Sequence, residues 1–267
     1  MYTSNDHTFV ICAYQESPFL EDCIRSVLAQ TVQTHILIET STPCAYIAGM
    51  AEKYHIPMVI NSGKSGCASD WNYGYEQAKT ELVTITHQDD IYEPRFAAET
   101  INYLNRADHP ILAHTDYYEI RGAKKVSRNS VLTIKRILNH RMRQQKNWNS
   151  SSIKIRSLAL GNRISCPTVT LVRSGCGSNP YDLTYQCSCD YKTWSNLSRK
   201  EGSFVYVPMI LMGHQIYEES HTSIYLKENV RQKEDMEIIS SYWPHAVGKV
   251  IYFFYSLSQR SNHTSAK

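Results

Sequence analysis

The stretch Thr84-Ile85-Thr86-His87-Gln88-Asp89-Asp90-Ile91-Tyr92-Glu93-Pro94 decides how the rest of the chain is read. Its lead-in, Glu81 to Thr86, is short, rich in β-branched residues and apolar enough for a buried strand, and it runs straight into two adjacent carboxylates. In an open α/β sheet, ligands bind in the crevice outside the carboxyl ends of the strands. Hard divalent cations such as Mg²⁺ and Mn²⁺ prefer carboxylate oxygens together with phosphate oxygens. Asp89 and Asp90 therefore fit a metal-bound diphosphate. Taken alone, the same dipeptide is also a turn or helix-start signal before Pro94, so the surroundings must choose.

Upstream, Thr8 to Ala13 is a near-continuous apolar run of the kind found in a central parallel strand. Ser17-Pro18 is a helix start, followed at helical spacing by Phe19, Leu20, Cys23, Ile24, Val27 and Leu28. His35 to Glu39 reads as a second strand, Ala45 to Tyr54 as a helix and Pro57 to Ile60 as a third strand. That alternation predicts a parallel sheet with right-handed crossovers. The link Asn61-Ser62-Gly63-Lys64-Ser65-Gly66 lacks the spacing of a phosphate-binding P-loop, whose Lys and Ser follow a second Gly. Lys64 is nevertheless a candidate diphosphate contact, because it emerges beside the strand ends, ahead of a helix from Cys67 to Ala78.

Downstream, the pattern predicts a helix over Arg95–Asn105, a strand Ile111–His114 and an antiparallel partner over Asp116–Ile120. Helical runs follow around 131–139 and 150–160, separated by a polar segment, Gln144 to Asn149, that reads as mobile. Ser165 to Arg173 is expected to return to the sheet, and Cys189-Asp190-Tyr191 to open a helix ending at Gly202. Two strands are expected over 203–207 and 209–214, then a charged helix from Lys227 to Tyr242. The last helix, Ala246 to Tyr255, is too short to span a bilayer and suits packing on the core or lying on a membrane surface with Lys249 and Arg260.

With 267 residues and 42% apolar content, the chain has ample material for a core in one large domain or two small ones. The opening Met1-Tyr2-Thr3-Ser4-Asn5-Asp6 lacks the regions of a signal peptide, which points to the cytoplasm. Of the eight cysteines, Cys12, Cys23, Cys44 and Cys67 sit singly in apolar settings, which suits reduced, buried thiols, and Cys187 and Cys189 are too close for a usual zinc pair. The net charge of +3 hides an asymmetry: Arg121 to Tyr181 contains thirteen of the 28 Lys and Arg residues and no Asp or Glu. Such a segment is a solvated basic face, or it meets an anionic membrane surface or a phosphorylated acceptor. No helix-turn-helix, zinc or RNA-binding motif accompanies it, which argues against nucleic acid.

Together these pieces resemble the family 2 glycosyltransferases, inverting enzymes with the GT-A nucleotide-sugar fold. The resemblance is carried by Ala13-Tyr14-Gln15-Glu16, by Glu39-Thr40-Ser41-Thr42 and by Asn61 and Gly63 with Trp71-Asn72-Tyr73-Gly74. Ala78-Lys79 and His87-Gln88-Asp89-Asp90-Ile91 complete it. It is close over residues 8 to 96 and scattered beyond. It implies an α/β fold with a mostly parallel central sheet, helices on both faces and a smaller acceptor-side subregion. Residues 1–115 would form the donor half, 116–240 the acceptor half and 241–267 an apolar helix and tail.

The resemblance also implies roles. Ala13, Tyr14, Glu16, Glu39, Lys64, Asn72, His87 and Gln88 would line the site of a nucleotide-diphosphate sugar, a UDP-sugar by family habit, with Glu39 against the base. Asp89 would ligate Mn²⁺ or Mg²⁺, with Asp90 in support, although His87 stands where the family has the first aspartate of its Asp-x-Asp motif. Asp190 would be the general base, with Cys189 replacing the usual glutamate. Gly213 to Thr222 occupies the place of an Arg-x-His…Ser-x-Thr segment, with Gln215 and Tyr217 at its Arg and His positions and His214 and His221 nearby. His214 is then either a metal-shell residue or a surface histidine. The implied acceptor is a saccharide or lipid-linked saccharide of surface-polysaccharide assembly, with peripheral contact at the inner face of the membrane. The rival readings are a nucleotidyltransferase and a non-catalytic relative serving as a binding or scaffold subunit.

Overall fold

Phe9 and Ile11 of the first strand belong to one apolar cluster and the intervening Val10 to another, as the two-residue alternation of a strand requires when both faces of a sheet are covered. The computed structural model describes residues 1–217 and 230–259. Four parallel strands, β1 (His7–Cys12), β2 (His35–Thr40), β3 (Met58–Ile60) and β4 (Leu82–His87), form half of one sheet. The order β3-β2-β1-β4-β8-β6-β9-β5 continues it through β8 (Val169–Val172), β6 (Pro110–Arg121), β9 (Ser203–Ile216) and β5 (Ile91–Tyr92), and β7 (Lys124–Val126) pairs with β6. β8 is antiparallel to both neighbours, whereas β6 and β9 run parallel.

One face is covered by α1 (Leu20–Leu28), α2 (Ala45–Lys53) and α4 (Phe96–Leu104), whose Leu20, Ile47 and Phe96 pack on Phe9 and Ile11. On the other face α3 (Cys67–Gln77), α8 (Cys189–Leu197) and α9 (Val230–Ser240) bring Tyr75, Trp194 and Ile238 to Val10 and Leu112. Between them in the chain lie α5 (Ser130–Leu138), α6 (Ser151–Leu158) and α7 (Arg173–Cys176), and α10 (His245–Gln259) follows α9. Among the described residues no helix is long and apolar enough to cross a membrane. All eight cysteines are free, including the four whose apolar settings predicted it.

Several expected boundaries change. No turn separates Ile111–His114 from Asp116–Ile120: both lie in the single strand β6, because the run has no Gly or Pro and is buried from Pro110 to Glu119. Likewise 203–207 and 209–214 form one strand, β9. Pro208, which has no N–H to give, sits within it, and the ladder slips register nearby, between Thr115 and Tyr117 of β6. The returning segment 165–173 starts as a 3-10 turn, Cys166–Thr168, seeded by Pro167, so only Val169–Val172 is strand. Gln144–Asn149, expected to be mobile, forms a 3-10 turn anchored by Trp148, which is buried and donates from Nε1 to the Met142 carbonyl at 2.7 Å. Of the helix expected over 227–242, Lys227 to Asn229 lie outside the described residues.

Gly74 shows how tightly α3 seats on the parallel strands. A Cβ there would lie 2.6 Å from Val10 Cγ1 and 3.4 Å from Glu39 Cβ and Cγ. Gly74→Ala is expected to lower stability by roughly 1–3 kcal/mol, read as a reduced urea midpoint at unchanged m-value.

Candidate active site

At the carboxyl ends of β1, β2 and β4 the loops are tied together. Ala13 N donates to the Glu39 carbonyl at 2.8 Å, and Gln15 N to Thr42 Oγ1 at 2.7 Å. Gln88 clamps Tyr14 twice, accepting from its N–H at 3.0 Å and donating to its carbonyl at 2.9 Å. The structure thus brings Ala13, Tyr14, Glu39 and Gln88 to one edge, with the Tyr14 ring exposed. Glu16 and Lys64 are exposed in loops along that edge. Asn72 is engaged elsewhere: it donates to the Tyr181 carbonyl at 2.8 Å and accepts from Tyr181 N at 2.9 Å, joining α3 to the loop before α8. With both ends of its amide used and the side chain buried, Asn72 is a brace rather than a donor contact.

Glu39 is 1% exposed, and its Oε1 has no hydrogen-bond partner. Burial, with the nearby charge of Asp70, raises its carboxyl from the ordinary 4.5 to about 8. Asp70 in turn accepts from Asn61 Nδ2 at 2.8 Å and Ser41 Oγ at 2.9 Å, fixing the loops after β2 and β3. A folded state that holds this proton above the unfolded pKa loses relative stability as pH rises from about 4.5 to 8. Glu39→Gln is therefore expected to be more stable than the parent at pH 8, by about 3–5 kcal/mol, and the gap should close toward pH 4.5 in parallel urea titrations.

One ligand atom from each of His87, Asp89 and Asp90 falls within a 4.8 Å group. The His87 ring stacks on Trp71 at 5.1 Å. Asp90 is fully buried. Its Oδ1 accepts from His214 Nδ1 at 2.8 Å and Gln215 N at 3.2 Å, while Oδ2 lies 3.6 Å from His87 Nδ1 and accepts no hydrogen bond. Burial and then the charge of Asp90 push the Asp89 carboxyl up to about 6, against the pull of His214 and a hydrogen bond from Tyr217. Burial works against a charged His214, yet Asp90 carries its pKa above the ordinary value.

His214, partly exposed and with Nδ1 on Asp90, holds that carboxylate in place beside the His87–Asp89–Asp90 group. Asp90, expected only in support, stands level with Asp89. Tyr217, at the position of the family's histidine, reaches Asp89 instead. The remainder of that segment, Glu218 to Thr222 with His221, lies outside the described residues.

Asp190 sits in the first turn of α8, and Ser188 holds the N-cap position. Its Oδ2 accepts from Asn162 Nδ2 at 2.8 Å and its Oδ1 from Tyr191 N at 2.6 Å. Burial raises its pKa over the opposing charge of Arg231. Glu234 of α9 accepts from the N–H groups of Gln186, Cys187 and Ser188 at 2.7, 3.0 and 2.7 Å, and so fixes the loop that presents Asp190. Asn162, Arg231 and Glu234 went unnoticed in the sequence, where nothing marks them beyond their residue type.

The family model "Glycosyl transferase family 2" matches residues 8–169 of the 267-residue chain. No curated protein sequence matches. Solved structures with this fold include a mannosyltransferase from Pyrobaculum calidifontis in complex with GDP-Man and Mn²⁺, at TM-score 0.64 and 11% identity over 98% of this chain and 76% of that one. Staphylococcus aureus TarS 1-349 with UDP-GlcNAc aligns at TM-score 0.60 and 11% identity, over 96% and 72% of the two chains. Glucosyl-3-phosphoglycerate synthase from Mycobacterium tuberculosis, with Mn²⁺, UDP and glucosyl-3-phosphoglycerate, aligns at 0.54 and 12%, over 88% and 79%. At these identities the likeness establishes the fold, which is that of the GT-A glycosyltransferases. The family match covers more than half of the chain, including the four parallel strands and the His87–Asp90 edge, and the chain belongs to glycosyl transferase family 2.

Proposed function

We propose that the protein is an inverting, metal-dependent glycosyltransferase that moves a sugar from a nucleotide-diphosphate sugar, with a UDP-sugar as the first candidate, to a hydroxyl of a saccharide or lipid-linked saccharide. The observation that carries this reading is the His87–Asp89–Asp90 group at the carboxyl end of a central parallel strand, next to Glu39 at the end of its neighbour but one. Two adjacent carboxylates, one held toward its protonated form and one with a buried oxygen that accepts no hydrogen bond, fit a hard divalent cation such as Mn²⁺ or Mg²⁺. A cation bound there supplies positive charge against the departing diphosphate.

The chain's own residues do the rest. His214 and Gln215 N fix Asp90, Trp71 supports the His87 ring, and Glu39 accepts hydrogen bonds from the base or ribose. Asp190, on the acceptor side, removes the hydroxyl proton as that oxygen attacks the anomeric carbon from the face opposite the diphosphate. Residues 1–115 serve the donor and 116–240 the acceptor, with 241–267 appended to them. Surface-polysaccharide assembly is the setting we infer from the family.

The test is a thermal-unfolding screen of nucleotides and nucleotide sugars with and without Mn²⁺. Protection by one nucleotide diphosphate that requires the metal supports the reading, since a ligand at 100 times its Kd adds about 2.7 kcal/mol. Absence of protection by every nucleotide tried overturns it.

A further inference from the structure

Helix α10 has two unlike sides. Ile251, Tyr252 and Tyr255 pack on the main core, with the Tyr255 ring against Gly161, where a Cβ would come within 2.4 Å of it. Just before the helix, Trp243 Nε1 donates to the Ala159 carbonyl at 2.7 Å. The opposite side is bare: Val247, Val250, Phe253 and Phe254, at helical spacing, are 44, 57, 59 and 65% exposed, and Leu160 and Trp243 flank them at 42 and 36%. Six large apolar side chains in one neighbourhood exceed the scatter of single exposed residues normal for a surface.

Charge narrows the occupant. From Ile238 to Lys267 the sequence has no Asp or Glu, and Lys249 is exposed beside the stripe. The loop on which α10 rests belongs to the acid-free segment Arg121–Tyr181, whose Arg156 is also exposed. A two-fold contact between copies of this helix would bring two Lys249 side chains into one interface with no acidic residue on either helix to pair with them. An anionic lipid surface accepts both features, the aromatic stripe among the acyl chains and the cations at the headgroups. We propose that α10, with Leu160 and Trp243, docks the protein on an anionic membrane surface, lying in its plane.

The docking face is joined to the acceptor side. The same short loop that supports Trp243 and Tyr255 continues into Asn162, which holds Asp190. Resting on the glycosyltransferase reading above, this places the candidate general base near the lipid plane, where a lipid-linked acceptor hydroxyl is presented. The docking itself needs neither donor nor metal, so its test stands apart from that reading.

The full chain is cosedimented with vesicles of phosphatidylcholine alone and of phosphatidylcholine with 30% phosphatidylglycerol, at low and high salt. Binding is expected to the anionic vesicles and to weaken with salt. Phe253→Ser/Phe254→Ser is expected to lower the partition coefficient by about tenfold or more, since each ring removed forfeits most of a buried aromatic's transfer energy. Lys249→Glu should lower it several-fold, and circular dichroism of both variants confirms that they fold. Failure to bind anionic vesicles at low salt overturns the proposal, as does binding that neither variant alters. A wild-type dimer in sedimentation velocity that the double variant abolishes, without vesicle binding, assigns the face to a second copy and equally overturns it.

Discussion

Asp89→Ala is expected to abolish Mn²⁺-dependent binding of the nucleotide diphosphate and to leave the fold intact. Removing one of two adjacent carboxylates would delete a hard ligand and leave only Asp90 and the His87 ring to hold a cation against the charge of the diphosphate. The fold should tolerate the change for a reason visible in the electrostatics. Burial and Asp90 raise the Asp89 carboxyl to about 6, so the folded state takes up the proton more readily than the unfolded chain, and stability without metal declines as pH rises from 3.8 to 6. Above pH 6 the metal-free variant should be as stable as the parent or more so. Calorimetric titration of the nucleotide diphosphate with Mn²⁺, set beside urea unfolding of the metal-free proteins, checks both halves. Equal affinity in parent and variant, with and without Mn²⁺, removes the metal from this crevice.

Much of that crevice was legible because its residues lie where strands end. The apolar runs at 8–13, 35–39 and 82–86 give strands that are buried over most of their length, which the residue pattern states directly, and Asp89-Asp90 follows the third after only His87 and Gln88. What the sequence concealed depends on contacts across long intervals. His214 lies 124 residues from Asp90, and only the β5–β9 pairing, with Ile91 opposite Gly213, brings them together. Asn72 looked like a donor contact because its neighbours matched the family, but Tyr181, 109 residues on, occupies both ends of its amide. Each of the two long strands looks like two short ones in the sequence because a carboxylate or a proline mid-run resembles a turn. In the fold Asp116 is instead satisfied by the Tyr206 hydroxyl at 2.8 Å, with Arg136 3.5 Å away, and Pro208 coincides with slipped register.

Asp190→Asn is expected to keep donor affinity near that of the parent while transfer falls by about 10²-fold or more, the usual worth of a positioned base. The substitution preserves size and one of the two acceptors: an amide oxygen can still accept from Asn162 Nδ2, at the loss of the 2.6 Å bond from Tyr191 N, while Ser188 stays at the N-cap position and Glu234 still binds the preceding loop. It is not conservative toward a proton. The carboxylate of Asp190 is half-buried and its pKa stands above the ordinary value, which makes it a better proton acceptor than an exposed aspartate, whereas the amide cannot accept one. A residue that served only to orient α8 would show the reverse: near-normal transfer in the variant and a small loss of stability. Turnover of the identified donor and acceptor at saturating Mn²⁺, together with donor affinity by calorimetry, separates the two. A parent protein that binds the nucleotide diphosphate tightly yet transfers to no acceptor would make the chain a binding subunit built on a glycosyltransferase fold, with His87 and Cys189 as the departures to restore first, as His87→Asp and Cys189→Glu.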